Sequence, residues 1–355
     1  MKLVRRVEAS RKLIVGIRFL SIIIAFALAS LLLLLHEVNP LDFYAGLVLN
    51  VFGTKVGVSE SVVRMIPLLL ISSGLALSFR AGFWNIGAEG QLLAGAMFGY
   101  LIAFNFGRSP SYIVIPLLFL AGYLAGAAWG VIPAILKAKL NVNDVLSTLM
   151  LYYVLYWVFQ HMIHGPWKAV ETVGGLTYGG FAHTKVLPEN SQLPVLAGTR
   201  VHWPTLLIAL ASSILVYLLL RRTTWGFEIR AFGRNPDASR AAGISGTKVL
   251  LLVAFVSGGL SGIAGIGELC GIQKRFTPEF LSGYGFSAII TAWLSGNNPV
   301  NLITSNFLYG GLLVGGSYAM ISYRLPIGFI DMFNGLILLS VLAGEFLIRY
   351  ELRRD

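Results

Sequence analysis

Apolar stretches long enough to cross a lipid bilayer recur along this chain and leave few other folds open to it. A hydrocarbon core of about 30 Å requires about 20 apolar residues in a helix. With 56% hydrophobic and only 12% charged residues, the chain has more apolar surface than one water-soluble domain could bury. The sequence therefore predicts an all-α polytopic membrane protein.

Ten segments reach or approach this length, which predicts about ten transmembrane helices. They begin near Ile17, Ser61, Trp84, Ser111, Asp144, Trp203, Lys248, Gly285, Pro299 and Pro326. The eighth segment has roughly a dozen residues, fewer than a straight span needs. It is expected to be short or broken and packed among its neighbours, because unpaired backbone groups are costly in lipid.

The placement of lysine and arginine orients these spans, because basic residues concentrate on the cytoplasmic side of a membrane. With the N-terminus inside, 18 of the 27 basic residues fall in cytoplasmic segments and nine fall outside. This bias predicts that both termini are cytoplasmic. It also explains the net charge of +11 through anionic membrane lipids, without nucleic acid as a partner.

We interpret residues 1–355 as a single transmembrane domain with two long connections. Residues 165–202 would lie outside the cell, and the prolines within residues 187–196 argue against a regular helix there. Residues 221–247 would lie in the cytoplasm. The order of the spans permits an inverted repeat of spans 2–5 and 7–10, an arrangement that many transporters use.

A short helix is predicted within the cytoplasmic connection, in the sequence RNPDASRAAGI at residues 234–244. Asn235 can cap it, Pro236 suits its first position, Asp237 complements its dipole, and Gly243 can end it. About two turns of helix are marginal in isolation. The segment is therefore either a chance turn in a solvated loop or a docking element for a soluble partner.

Polar side chains interrupt two apolar runs at residues 82–91, GFWNIGAEGQ, and polar groups within spans commonly mark a functional site. Asn85 and Glu89 are four residues apart and are expected to share one helix face near the cytoplasmic end of the third span. The candidate residues for a translocation route or gate are Asn85, Glu89, Gln91, Asn143, Asp144 and Asn334. Each of them could instead tie helices together or cap one.

Glycines at four-residue spacing predict close helix packing, because small residues let helix backbones approach in lipid. They are Gly122, Gly126 and Gly130, with Gly95 and Gly99 earlier and Gly311 and Gly315 later. Residues 41–52, between the first two spans, carry apolar residues at helical spacing and suggest a helix along the membrane surface.

The motifs of several enzyme classes are missing from the sequence. The phosphate-binding loop G-x-x-x-x-G-K-[ST] does not occur, so any ATP that drives this protein must bind another chain. His161 and His164 are too few to make a metal site, and no metal is expected. A proton-coupled secondary transporter that uses Glu89 or Asp331 stays open at this point.

Five segments occur in an order that resembles a known family. They are RAGFWNIGAEGQLLAGA (80–96), NVNDVLSTLMLYY (141–153), LPENSQLPVLAGTRVH (187–202), WGFEIRAFGRNPDASRAAGI (225–244) and GYGFSAIITAWLSGNNP (283–299). They resemble permease subunits from the branched-chain amino acid, ribose and nucleoside branch of ABC importers. Within that branch the chain is most similar to the larger of two paired nucleoside permeases.

The resemblance implies a transport subunit that binds no cofactor itself, with ATP and Mg²⁺ held by separate cytoplasmic ATPase subunits. It also implies a second homologous permease in a heterodimer, an extracytoplasmic substrate-binding lipoprotein, and a place in the cytoplasmic membrane of a prokaryote. Nucleosides are the implied solute and monosaccharides are the alternative. The residues that would contact the ATPase are Arg234, Asn235, Pro236, Asp237, Ala238, Ser239, Arg240, Ala241, Ala242 and Gly243.

Overall fold

Helices make up most of the chain in a computed structural model that describes residues 2–5, 10–169, 171–173, 176–178, 180–326 and 328–353. The helices are α1 (Arg11–Leu35), α2 (Pro40–Phe52), α3 (Lys55–Arg80), α4 (Ala88–Asn105), α5 (Ser111–Leu140), α6 (Asp144–His164), α7 (Trp203–Arg222), α8 (Thr224–Arg234), α9 (Pro236–Ala241), α10 (Gly246–Ile266), α11 (Tyr284–Leu294), α12 (Pro299–Tyr323) and α13 (Gly328–Arg349). A π-helix, Gly267–Gln273, continues α10 directly.

Short strands and one 3-10 turn complete the described elements. Strand β1 (Lys2–Arg5) pairs antiparallel with β4 (Tyr350–Arg353), and β2 (Glu171–Val173) pairs antiparallel with β3 (Leu176–Tyr178). Within residues 187–196 the structure has the 3-10 turn Glu189–Ser191 and an isolated bridge from Val195 to His202, but no α-helix. The prediction that prolines exclude a regular helix from this stretch is confirmed.

Among the described helices, five are long and apolar enough to cross a membrane. They are α3, α5, α6, α7, and α10 together with its π-helix. Residues of α1 together with α2 also qualify as a pair, but the pair bends by 114° and counts at most as one broken span. The helical membrane fold is thus confirmed, whereas the count of ten, the orientation and the inverted repeat stay predictions.

The chain packs into two compact units, and the first comprises Met1–Ser61 with Leu308–Asp355. Its described core joins α1, α2 and the start of α13 through a buried cluster that includes Leu33, Phe43, Leu47 and Phe329. Gly311 and Gly315 of α12 lie against side chains of α2, so added methyl groups would meet Phe52 and Leu47. The helix predicted over residues 41–52 is confirmed as α2, although its place relative to a membrane is untested.

The second unit, Val62–Phe307, is built around the contact of α4, α5 and α10. Glycines make this contact possible, because a Cβ on Gly95, Gly122 or Gly126 would overlap atoms of Gly262, Ile266 or Gly258. Removing the side chains lets the helix backbones touch and exchange dispersion contacts along their length. The packing role predicted for these glycines is confirmed.

The predicted eighth span is the short helix α11, which has 11 residues. Gly283 precedes it in the left-handed conformation at φ 71°, which glycine adopts without the steric cost of a Cβ. Its brevity agrees with the sequence prediction. The third predicted span differs, because α4 begins at Ala88 rather than near Trp84.

Candidate functional site

The connection between α3 and α4, residues 81–87, contacts residues of α5, α6, α10 and α11 before α4 begins. Gly82 has φ 71°, which allows the chain to reverse direction directly after α3. Asn85 lies in this non-helical connection, whereas Glu89 lies in the first turn of α4. The prediction that the two share one helix face is therefore wrong, and their side chains have different partners.

Asn85 and Gln91 form a buried amide pair with two reciprocal hydrogen bonds of 2.8 Å. The Asn85 Nδ2 group also donates to Ser257 Oγ on α10 at 3.0 Å. An unpaired buried amide would cost about 1–3 kcal/mol, so this closure stabilises the connection in one conformation. The polar residues of this segment thus tie α4 to α10.

Glu89 contacts the start of α11. Its Oε1 atom accepts a hydrogen bond from the Gly283 N–H at 3.0 Å, and Oε2 accepts one from the Gly285 N–H. The side chain is 1% exposed. A carboxyl group at unpaired N–H groups of a helix start satisfies donors that the helix cannot pair itself. Glu89 therefore holds the short helix in place across the unit.

Asp144 lies at the junction of the 81–87 connection with α5 and α6. Its Oδ2 atom accepts hydrogen bonds from the Trp84 N–H at 2.5 Å and from Lys137 Nζ at 2.7 Å. Lys137 also donates to the Gly82 carbonyl oxygen at 2.8 Å. Asn143 is exposed and caps α6 by accepting from the Leu146 N–H. Asp144 thus ties the connection to the last turn of α5, and Asn143 caps α6, which are the alternatives that the sequence left open for them.

Three buried or half-buried residues near α11 were missed by the sequence analysis. Arg64 Nη1 donates to Tyr284 Oη at 2.8 Å, and the charge of Glu268 on the π-helix interacts with that of Arg64. Glu268 is 4% exposed, and its Oε1 atom has no hydrogen-bond partner among the described residues. A single carboxylate within an apolar run was the available signal. These groups add a charged cluster beside the Glu89 contact.

The cytoplasmic connection predicted from sequence folds into two helices, α8 and α9. Asn235 caps α9 by accepting from the N–H groups of Asp237 and Ala238, and Gly243 ends it at φ 83°. The predicted helix and its cap are confirmed. Helix α8 was not predicted; its buried residues are Gly226, Ile229 and Phe232.

Close contacts attach this pair of helices to the rest of the second unit. Gly233 of α8 lies so near the Arg80 carbonyl group that any Cβ would overlap it. A ring atom of Phe232 would likewise collide with a Cβ on Gly246 at the start of α10. The short helix α9 is thus held by its neighbours, as its marginal length requires.

The predicted ATPase contacts are exposed with one exception. Ser239 is 5% exposed and faces its own chain, so its side chain is not presented to a partner. The exposed residues are Arg234, Asn235, Pro236, Asp237, Ala238, Arg240, Ala241, Ala242 and Gly243. A cavity of about 590 Å³, lined in part by Pro236, Arg240 and Lys139, lies next to this helix.

Asn334 lies in α13, but its side chain is outside the described residues, so its predicted role is untested. His202 precedes α7 and is fully buried against the π-helix, with the ring close to Gly271. Burial disfavours the charged imidazolium and lowers the pKa of His202 to about 4. No group of three or more metal-ligating side chains occurs in the part of the chain that the structure describes.

A family model described as "Branched-chain amino acid transport system / permease component" matches residues 57–342. The chain belongs to this permease family. The match includes the whole 81–91 segment, the α8 and α9 connection and α11, so the contacts described above lie within the shared region. Members of such a family are transport subunits of ABC transporters and are embedded in membranes.

Individual members are similar over most of their length. The glucose ABC transporter permease protein TsgB13 of Haloferax volcanii is 34% identical over 94% of this chain and 89% of its own. The nucleoside permease NupB of Lactococcus lactis is 31% identical over 86% of this chain and 84% of its own. The guanosine permease NupP of Bacillus subtilis is 30% identical over 93% of each chain. A second Lactococcus lactis nucleoside permease, NupC, is 26% identical over 83% of this chain and 94% of its own.

Proposed function

We propose that this chain is one of two transmembrane subunits of an ATP-driven importer of nucleosides in a prokaryotic cytoplasmic membrane. A separate ATPase would bind ATP and Mg²⁺ on the cytoplasmic side. An extracytoplasmic lipoprotein would deliver the solute, and a homologous permease would complete a heterodimer. Alternating access between the two faces would move the solute, with no covalent chemistry on this chain.

The observation that carries the proposal is the exposed, capped helix α9 on a chain that contains no ATP-binding loop motif. The helix has six residues and contacts α8 on one side. Within residues 234–243, which include the helix and its flanks, nine of the ten predicted contact residues are exposed. A helix this short gains little stability by itself. Its fixed attachment suits a surface through which a partner can move the fold.

Contacts lead from α9 to both ends of α11. Helix α8 meets the end of α3 where Gly233 touches the Arg80 backbone, and Arg80 Nε donates to the Asn297 carbonyl oxygen just beyond α11 at 3.0 Å. Glu89 holds the other end of α11. A displacement of α9 would therefore be transmitted to α11 through packed backbone and hydrogen bonds. We infer that ATPase movement is coupled to the translocation route through these contacts.

Two kinds of relative support different solutes. Nucleosides or guanosine are named for NupB and NupP, and NupC offers a second permease from the organism of NupB, as a heterodimer would require. TsgB13 is named for glucose and is more identical at 34%. Monosaccharide import is therefore the second candidate. Both solute classes carry ring hydroxyl groups, which buried polar side chains can recognise by hydrogen bonds.

The docking role is tested by Ala238→Arg, which places a long charged side chain on the exposed face of α9. Steric and charge conflict at a packed interface should abolish solute uptake in reconstituted vesicles while the ATPase still hydrolyses ATP. Glu279→Arg, at an exposed position far along the chain, is the control and should transport normally. Normal coupled uptake by Ala238→Arg would refute α9 as the docking element.

An ion-coupled secondary transporter makes the opposite prediction. The purified chain alone, in vesicles with an ion gradient and no ATPase, would then accumulate solute. We expect no uptake under those conditions, and uptake only when ATPase, partner permease, binding lipoprotein and ATP are all supplied. Radiolabelled adenosine and glucose, compared in the complete system, distinguish the two proposed solute classes.

A further inference from the structure

A strongly basic cavity of about 330 Å³ lies where α3, α7 and α8 meet. Arg80 from the end of α3, Arg221 from the last turn of α7, and Arg230 from α8 line it. The rest of its lining includes Tyr217, Leu220 and Pro299. The cavity is separate from the α9 surface, although Arg80 also belongs to the contacts that we propose connect α9 with α11.

The three arginines have no carboxylate partner within salt-bridge distance among the described residues. Two carboxylates of this unit, Asp144 and Asp237, pair instead with Lys137 and Arg240. The charges of Arg221 and Arg230 instead act unfavourably on that of Arg80. Three like charges around one cavity repel one another, so an anion that enters it would relieve this repulsion.

The geometry suits a phosphate group. Arginine side chains carry planar arrays of N–H donors that match phosphate oxygens. Among the described residues, Arg80, which lines the cavity, donates from Nε to the Asn297 carbonyl oxygen, and its two NH₂ groups make no hydrogen bond there. Arg221 lies over the ring of Tyr217 at 5.5 Å, which holds its guanidinium at the cavity rim. A phosphate mono- or diester fits both the charge and the volume.

The position of the cavity favours a lipid over a free phosphate. Both α3 and α7 qualify as membrane spans, and Arg80 and Arg221 lie in their last turns, at the depth of lipid headgroups. On α7, Ile214 and Leu218 precede Arg221 at helical spacing and are 53% and 44% exposed. They offer an apolar surface for acyl chains directly below the basic group.

We propose that Arg80, Arg221 and Arg230 form a binding site for the headgroup phosphate of an anionic phospholipid, whose acyl chains lie along α7. The site requires only that the helices span a membrane and does not depend on the solute. Bound lipid would screen the arginine cluster and fix the position of α8 relative to α3 and α7. Because α8 leads into α9, the lipid would also stabilise the proposed docking element.

The test compares lipid binding by the assembled transporter in nanodiscs that contain equal amounts of phosphatidylglycerol and phosphatidylcholine. Lipids that co-purify after mild detergent extraction are counted by native mass spectrometry. The native protein should prefer phosphatidylglycerol, and this preference should fall about 25-fold in Arg221→Gln/Arg230→Gln. The reason is that each arginine near a membrane surface contributes roughly fivefold to binding of anionic lipid.

Two matched variants distinguish binding at this site from a general effect of positive charge on the protein surface. Arg222→Gln/Lys248→Gln removes two exposed basic residues that do not line the cavity and should retain the preference. Arg221→Lys/Arg230→Lys keeps both charges and should retain most of it. An unchanged preference in Arg221→Gln/Arg230→Gln, or an equal loss in the Arg222→Gln/Lys248→Gln control, would overturn the proposal.

A binding experiment with inorganic phosphate distinguishes a lipid headgroup from a soluble anion as the source of the bound phosphate group. If the native protein shows no lipid preference but binds phosphate in detergent, and Arg221→Gln/Arg230→Gln abolishes that binding, the site serves a soluble anion and the lipid proposal fails. Thermal unfolding in phosphatidylcholine alone should be similar for the native and variant proteins, which shows that the substitutions leave the fold intact.

Discussion

Asn85 and Gln91 are six residues apart and form a closed amide pair, in which each side-chain NH₂ group donates to the other's carbonyl oxygen at 2.8 Å. The pair is buried, and it joins the non-helical connection after α3 to the first turns of α4. The additional bond from Asn85 to Ser257 extends it to α10. Polar groups that suggested a substrate site thus also act as a structural tie.

Replacement of Asn85 by alanine should destabilise the protein, because it leaves the Gln91 amide buried without its partner. The expected loss is about 1–3 kcal/mol, which corresponds to a fall of a few degrees in Tm. Asn105→Ala is the control, since the exposed Asn105 amide bonds only a carbonyl of its own helix. Equal Tm values for the two variants in the same detergent would contradict the assigned role.

Gly262→Ala should prevent the close contact of α5 with α10. A Cβ at this position would overlap the Gly122 carbonyl oxygen, and backbone atoms cannot move aside as a flexible side chain can. We expect strongly reduced yield of folded protein by size-exclusion chromatography. Gly335→Ala in α13 meets no atom within 4 Å and should fold as well as the native chain or better, because alanine favours helix.

Glu89→Ala should loosen the start of α11. Each of the two hydrogen bonds contributes about 0.5–1.5 kcal/mol, so the Gly285 amide should exchange with solvent roughly fivefold faster or more in hydrogen-exchange mass spectrometry. Glu279→Ala removes an exposed carboxylate close by in sequence and should leave exchange unchanged. Unaltered exchange around residue 285 in Glu89→Ala would show that the carboxylate does not hold this helix.

Acid should destabilise the protein through His202. Its pKa is about 4 in the fold against 6.5 for an ordinary histidine, so the unfolded chain binds a proton between these pH values and the folded protein does not. This stability is present above pH 6.5 and is lost as the pH falls, by about 3 kcal/mol at pH 4. His202→Gln should therefore lose less stability than the native chain between pH 7 and pH 4.

The comparison variant for this effect is His161→Gln, which removes an exposed histidine from α6. Denaturant midpoints measured at several pH values give the stability difference for each protein. Other titrating groups are common to all three proteins and cancel in the comparison. Identical pH profiles for His202→Gln and the native chain would rule out burial of neutral His202.

Local features of the sequence predicted several elements correctly. The cap Asn235 and the terminal Gly243 define α9, because helix ends are stabilised by residues adjacent in sequence. The four-residue spacing of Gly122 and Gly126 predicted a packing face, because that spacing places both residues on one side of a helix. The short α11 likewise followed from the length of one apolar run.

The sequence pattern failed where local spacing was ambiguous. Asn85 and Glu89 have helical spacing, but the intervening chain is a non-helical connection, and tertiary hydrogen bonds to Asp144 and Thr148 replace the helical ones there. Ser239 was among the residues predicted to contact a partner, yet it is buried against its own fold. In each case the decisive contact comes from a distant part of the chain.

By itself, the sequence determined the membrane environment, the capped helix α9 and the small-residue faces, because these depend on composition and on neighbours within a few turns. Only the tertiary structure decided what the polar side chains do. Glu89 reaches N–H groups 194 and 196 residues away, and Arg64 reaches Tyr284 across 220 residues. No local preference encodes such pairings, since they form only when packed helices bring both ends together and exclude water.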